Sequence, residues 1–170
     1  SRVTNMFSSS KDAQETLDSQ AEEQILQYLN TGQVISMGIN RREVNIGDSE
    51  TFALAMINKY GQDLKFKIKV KDTFIAVDNN NEELIKDGFA DINMWTFPER
   101  PLDGTFDLKN NEKIATPILF NVPCKAEKGL YVFTIEVRYC LVSDTQCLND
   151  DLHEWNLFNN EVQKVYIEAI

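Results

Sequence analysis

The sharpest alternation of apolar and polar positions in this chain runs from Gly129 to Cys140, GLYVFTIEVRYC. Tyr131, Phe133, Ile135, Val137 and Tyr139 fall on one side. Leu130, Val132, Thr134, Glu136 and Arg138 fall on the other. A period of two with aromatic and β-branched residues on one side predicts a half-buried strand, here the central one of a sheet. A second clean alternation, LKFKIKV from Leu64 to Val70, sends Leu64, Phe66, Ile68 and Val70 inward and Lys65, Lys67 and Lys69 outward. Lysines placed outward in this way are read as a solvated strand face that also guards a sheet against edge pairing.

Shorter runs of the same kind fill the rest. Val34 to Ile39 is extended and ends in an Asn40-Arg41-Arg42 turn. Thr51 to Asn58 alternates Phe52, Leu54 and Met56 with Ala53, Ala55 and Ile57. Thr73 to Val77, Ile114 to Val122 and Val162 to Ile170 read as further strands, and Phe89 to Phe97 alternates weakly. Polar turns separate them at Asn58 to Gly61, Asp78 to Glu83, Asp103-Gly104 and Asn110 to Lys113.

The first thirty residues follow a different rule. From Ser8 to Leu29 there is no Gly or Pro, and Ala13, Leu17, Ala21, Ile25 and Leu29 recur every four residues with Tyr28 alongside, a thin apolar stripe on a polar helix. Ser9 or Ser10 caps its start, and Asn30-Thr31-Gly32 stops it. The face Ala13, Leu17, Ala21, Ile25 and Tyr28 suits either docking on the chain's own sheet or self-association as a stalk. The expected organisation is an N-terminal helix over 1–32 and one β-sandwich over 33–170, with an insertion at 140–160.

Charge removes some partners. With 27 acidic and 17 basic residues the 170-residue chain carries a net −10, which repels nucleic acid and anionic membrane surfaces. No run of about 20 apolar residues is present. The chain opens at Ser1-Arg2-Val3 without Met, so any membrane attachment would lie upstream of residue 1.

Three cysteines give the redox clue. Cys140 and Cys147 flank the turn-rich LVSDTQ and are the disulfide candidate, while Cys124 reads as a small buried apolar residue. Other candidate sites are weaker. Trp95 and Phe97, with Pro98 and Pro101 nearby, and Trp155 and Tyr60 are candidates for stacking on carbohydrate, although Trp95 also suits the core. Asp78, Asn80 and Glu82 could offer oxygen ligands to calcium, but their spacing matches no EF-hand loop. Asp150, Asp151, His153 and Glu154 hold the single histidine among carboxylates and read as a solvated loop. No nucleophile with its base, phosphate-cradling glycine loop or zinc spacing stands out, so neither an enzyme nor a resident cofactor is expected.

Two stretches carry a resemblance. Ile46-Gly47-Asp48-Ser49-Glu50 before a strand closed by Asn58, and Val122-Pro123 through Gly129-Leu130-Tyr131-Val132-Phe133, resemble the turn and penultimate-strand patterns of immunoglobulin-like and fibronectin-III-like modules of secreted and surface proteins. That resemblance implies an antiparallel sandwich of about seven to nine strands. A helix leading into such a head also resembles archaeal type IV pilins and archaellum-related proteins. It implies an extracytoplasmic surface or filament subunit working through protein contacts or self-assembly. A carbohydrate-binding module and the ectodomain of a single-pass membrane protein are the alternatives.

Overall fold

The computed structural model describes residues 2–3, 19–29, 32–71, 74–84, 91–96, 105–143 and 155–170. These form two sheets packed face to face, with one helix on the outside. In chain order the elements are β1 (Arg2–Val3), α1 (Ser19–Tyr28), β2 (Ile35–Ser36), β3 (Arg41–Val44), β4 (Ser49–Ile57), β5 (Leu64–Val70), β6 (Ile75–Val77), β7 (Thr105–Leu108), β8 (Lys113–Asn121), β9 (Gly129–Leu141) and β10 (Asn156–Ala169). The first sheet has the order β1-β8-β4-β2. The second has β3-β10-β9-β5-β7, with β6 also pairing β9.

The strand expected at the centre is central. β9 pairs antiparallel with β10 on one side, and on the other with β5 and then β6. Its inward side chains Tyr131, Phe133, Ile135 and Val137 are buried, as are Leu64, Phe66, Ile68 and Val70 of β5. Phe52, Leu54 and Met56 of β4, with Ile114, Ile118 and Phe120 of β8, supply the facing layer. The Tyr131 hydroxyl donates to the Glu127 carbonyl at 2.8 Å. This is the tyrosine corner that ties the start of a penultimate strand to the loop before it in immunoglobulin-like sandwiches.

Some expectations change. Arg41 and Arg42 are not a turn but part of β3, which runs parallel to β10 with Arg41 opposite Tyr166. β1 likewise runs parallel to β8. The sandwich is therefore antiparallel except along these two pairings. Phe89 to Phe97 is not a strand where it is described: Asp91 accepts from the Asn93 amide and starts a 3-10 turn over Ile92–Met94. β10 begins at Asn156 rather than Val162, because a bulge between Leu157 and Val162 interrupts its register with β9.

The helix lies on the outer face of the first sheet. Ile25, Leu26 and Leu29 bury against Ala55, Ile57 and Ala115, the residues that alternation turns away from the main core. Ile25 is thus used within its own domain. Ala13 and Leu17 lie outside the described residues, and no side-chain placement is described for Ala21 or Tyr28. Among the described residues no helix is long and apolar enough to cross a membrane.

Candidate functional site

A pocket of about 250 Å³ opens where β4 turns into β5 and β10 leaves its register. It is built from three remote segments: Val34, Tyr60 of the β4–β5 turn, and Tyr139 with Phe158, Asn159 and Asn160 of the β9–β10 ribbon.

Asn58 organises the first wall. It is fully buried, its side-chain amide donates to the carbonyls of Gln62 at 2.8 Å and Leu108 at 2.9 Å, and its Oδ1 accepts from the Tyr60 amide at 3.0 Å. Gly61, at φ 92°, takes the left-handed conformation, and its N–H donates to Asn110. The turn is therefore fixed by bonds that only an Asn at this position can make together. Replacing Asn58 by Ala is expected to cost about 2 kcal/mol of stability, because buried carbonyls lose their donor. It should also broaden the Tyr60 ring resonances in an NMR spectrum; unchanged spectra and stability would contradict this account of the turn.

The rings meet across the pocket. Tyr60, 52% exposed, lies 5.6 Å from Tyr139, which in turn meets Phe158 edge-on at 5.9 Å. Phe158 rests on Phe66 at 5.0 Å, so the floor continues into the core. Burial, then the field of Tyr60 and a hydrogen bond with it, raise the Tyr139 hydroxyl above its ordinary value of 10.0. The rim is strained. Asn159 and Asn160 have φ of 57° and 53°, two consecutive left-handed residues inside the bulge. Asn tolerates this conformation better than other non-Gly residues, and strain of this kind gathers at recognition sites.

A second polar feature lies on the outer face of β9. Glu136, 8% exposed, is bridged by Lys71 at 3.2 Å and by Arg138 at 3.1 Å. Burial pushes the Glu136 carboxyl up, but hydrogen bonds and charge from Lys71 and Arg138 outweigh it, and the net position is below the ordinary 4.5. A carboxyl lowered on folding contributes stability above its unfolded value and loses it as pH falls through the folded one. Glu136→Gln is therefore expected to lower stability by on the order of 1 kcal/mol at neutral pH. The gap to wild type should narrow in urea melts as pH falls below 4.5 and through the lowered folded value. A gap that does not narrow would refute the assignment.

The residues singled out from the sequence are placed as follows. Trp95 is fully buried and Trp155 is 4% exposed, so neither presents a face to a sugar ring; Phe97 lies outside the described residues. Asp78 closes its own turn, accepting from the amides of Asn80 at 2.8 Å and Glu82 at 2.9 Å, with Asn81 at φ 63°. Among the described residues no group of three or more His, Cys, Asp or Glu could hold a metal. Cys140 is buried, and Cys147 lies outside the described residues. Cys124 is exposed rather than buried, because the turn closed by Ala126 N–H on the Pro123 carbonyl points Ala126 inward and Cys124 out. Among the described residues, Tyr60 is the earlier candidate that joins the pocket. Its partners Tyr139, Asn159 and Asn160 were missed, although the Asn159-Asn160 doublet is a recognisable left-handed signal.

No protein-family model matches the sequence, and no curated protein matches it. Solved structures do. The ASH/PapD-like domain 7 of human CEP192 is similar with a TM-score of 0.51 at 10% identity, over 80% of this chain and 84% of that one. A family 123 glycoside hydrolase from Clostridium perfringens gives 0.49 at 14% identity, over 88% of this chain but 25% of that one. A chain of the Salmonella enterica SafA pilin–SafB chaperone complex gives 0.43 at 10% identity, over 79% of this chain and 54% of that one. The last two scores are too low to carry an argument. The first shows the fold, a mainly β, immunoglobulin-like sandwich similar to a PapD-like domain, a likeness of fold and not of activity.

Proposed function

We propose that this chain is a non-enzymatic, extracytoplasmic interaction module: a PapD-like head led by a helix, part of a cell-surface or pilin-like assembly, that meets protein partners with the tyrosine-lined end of its sandwich. The pocket carries this reading. Tyr60 is held by a bonded turn above Tyr139 and Phe158, and two strained asparagines supply amides at the rim. Rigid aromatic anchors beside adaptable amides are what recognition surfaces use. Acyl or phosphoryl transfer instead asks for a nucleophile, its base and an oxyanion donor converging on one point.

The test uses the whole protein. It should sediment with assemblies of its protein partner, and Tyr60→Ala together with Asn160→Gly should weaken that association at least tenfold, about 1.4 kcal/mol. A monomer in buffer that never partitions would overturn the proposal.

A Cys140–Cys147 bridge belongs to the same proposal, since disulfides persist in oxidising compartments. Its support is that Cys140 is buried at the end of β9, seven residues before Cys147 in the sequence, while Cys124 is a free, exposed thiol. Thiol titration of the denatured, unreduced chain should then find one of the three cysteines. Finding all three would remove the bridge.

A second reading rests on Tyr60 alone. Its half-open ring above an amide-rimmed pocket suits stacking on a sugar. A glycan screen in which Tyr60→Ala leaves binding unchanged, or in which nothing binds, disposes of it.

A further inference from the structure

Two backbone bonds fix which way each residue of β4 turns its polar groups. Val122 N–H donates to the Asp48 carbonyl at 2.8 Å, and at the far end Ile57 N–H donates to the Val34 carbonyl at 2.9 Å. Along a strand, successive residues aim N–H and C=O at opposite edges. Glu50, Phe52, Leu54 and Met56 therefore bond towards β8, while Ser49, Thr51, Ala53, Ala55 and Ile57 bond towards β2. Pro117 fits this phase, since it stands opposite Ala53, where a residue of β8 bonds away from β4 and the missing N–H costs that pairing nothing.

β2 reaches only part of the second edge. It pairs Ile35 with Met56 and Ser36 with Ala55. The chain then crosses through Gly38, at φ 61°, and joins β10 in the other sheet at Arg41. Among the described residues no strand pairs with the N–H and C=O groups of Ser49, Thr51 and Ala53. The gap is bounded on one side by the turn that Asp48 N–H closes on the Asn45 carbonyl, and on the other by Ser36.

Other edges of the two sheets carry guards against pairing with another chain. β3 exposes Arg41, Arg42 and Glu43, β7 exposes Asp107, β8 holds Pro117, and the left-handed Asn159 and Asn160 bulge β10. The stretch from Ser49 to Ala53 contains no Lys, Arg, Pro or Gly, and Glu50 is its single charge. Ser49, Thr51 and Ala53 are small and share the outer face that α1 covers further along, at Ala55 and Ile57.

We infer that this edge pairs with the same edge of a second copy, antiparallel about a twofold axis at Thr51. With Thr51 opposite Thr51, Ser49 of one copy meets Ala53 of the other, and every open N–H in the gap finds an open C=O. One sheet then runs through both copies. The side chains agree with this register: threonines pair well across strands, and Glu50 meets Phe52 instead of a second carboxylate. A register centred on Ser49 or Ala53 would leave open groups unpaired. The two surfaces are identical, so the contact closes at a dimer and does not propagate. It goes beyond the pocket reading and uses none of its residues. The paired stretch is short, so the expected Kd is on the order of 100 μM.

Sedimentation and hydrogen exchange of the whole chain test this. Wild type should pass from monomer to dimer between about 10 μM and 1 mM. Exchange of the Ser49, Thr51 and Ala53 amides should slow roughly fivefold at the upper concentration, while the Phe52 and Leu54 amides, already bonded to β8, stay as they were. Thr51→Lys places two ammonium groups opposite each other at the axis and should weaken association at least tenfold with unchanged circular dichroism, whereas Thr51→Val should dimerise like wild type. Tyr60→Ala should leave the dimer intact, which separates failure here from failure of the pocket reading. A chain that stays monomeric at about 1 mM, association that Thr51→Lys does not weaken, or Thr51 and Ala53 amides already protected in the dilute monomer overturns the inference.

Discussion

Trp95→Ala is expected to lower the unfolding free energy by about 3–5 kcal/mol, the range for removing a large aromatic from a closed core. The indole is fully buried and touches both layers of the sandwich. It lies 4.3 Å from Tyr131 and 5.3 Å from Phe133 of β9, with Phe74 at 5.6 Å. Phe133 then meets Phe120 of the opposite sheet at 4.8 Å. The backbone is pinned as well, since the Trp95 carbonyl accepts from the Asn121 amide at 2.7 Å at the end of β8. Such a site has little freedom to collapse around a smaller residue, so the cavity term stays large. Trp95→Phe makes the argument sharper. The indole N–H has no partner among the described residues, so phenylalanine removes a buried orphan donor while keeping most of the ring area. It should lose less than half of what alanine loses in urea melts. Equal losses would show that an unseen bond to the indole N–H matters; a loss near zero for alanine would show that this ring does not join the two layers.

The fate of Trp95 shows where sequence reading works and where it stops. Strands that bury one face declare themselves, because the pleat forces a period of two on their composition; β5 and β9 were visible for that reason. β3 was not. Three of its four residues are exposed and only Val44 is buried; backbone pairing with β10 and the Arg41–Glu168 ion pair hold it in the sheet. An edge strand of that kind has no alternation to detect. The helix was readable from its stripe, yet what it packs against was not, because Ala55 and Ala115 lie on the quiet side of strands whose louder side is the core. The pocket was the least visible feature. Tyr60 and Tyr139 are 79 residues apart in the sequence, and only the β5–β9 register brings the turn over the ribbon. Trp95 and Trp155 drew attention as large aromatics, but aromatic residues near prolines and turns have the same composition whether they cover a core or face a ligand.

Gly129→Ala is the second large effect expected, about 3 kcal/mol or more, at or beyond the upper end of what overpacking usually costs. The residue opens the central strand and is enclosed on both sides, opposite Ala169 of β10 and beside the end of β6. A Cβ built there would lie 2.3 Å from the Val77 carbonyl oxygen and 2.5 Å from Leu84 Cδ1. The leucine can rotate away. The carbonyl cannot, because Val77 pairs with Leu130 and the following turn is bonded through Asp78, so the strand itself would have to leave. This distinguishes two explanations of the glycine. If the side chain of Leu84 were the obstacle, Leu84→Ala would relieve part of the damage and the double variant would lose less than the sum of the singles. If the obstacle is backbone, the two losses should add within about 0.5 kcal/mol. Hydrogen exchange gives an independent view: in Gly129→Ala the Leu84 amide, which donates to Ala76 at 2.9 Å, should lose protection before the amides of β5 do. Relief by Leu84→Ala would make that side chain the obstacle instead of the β6 backbone, and uniform loss of protection across the sheet would show that the glycine is required for its conformation and not for the close approach of β6.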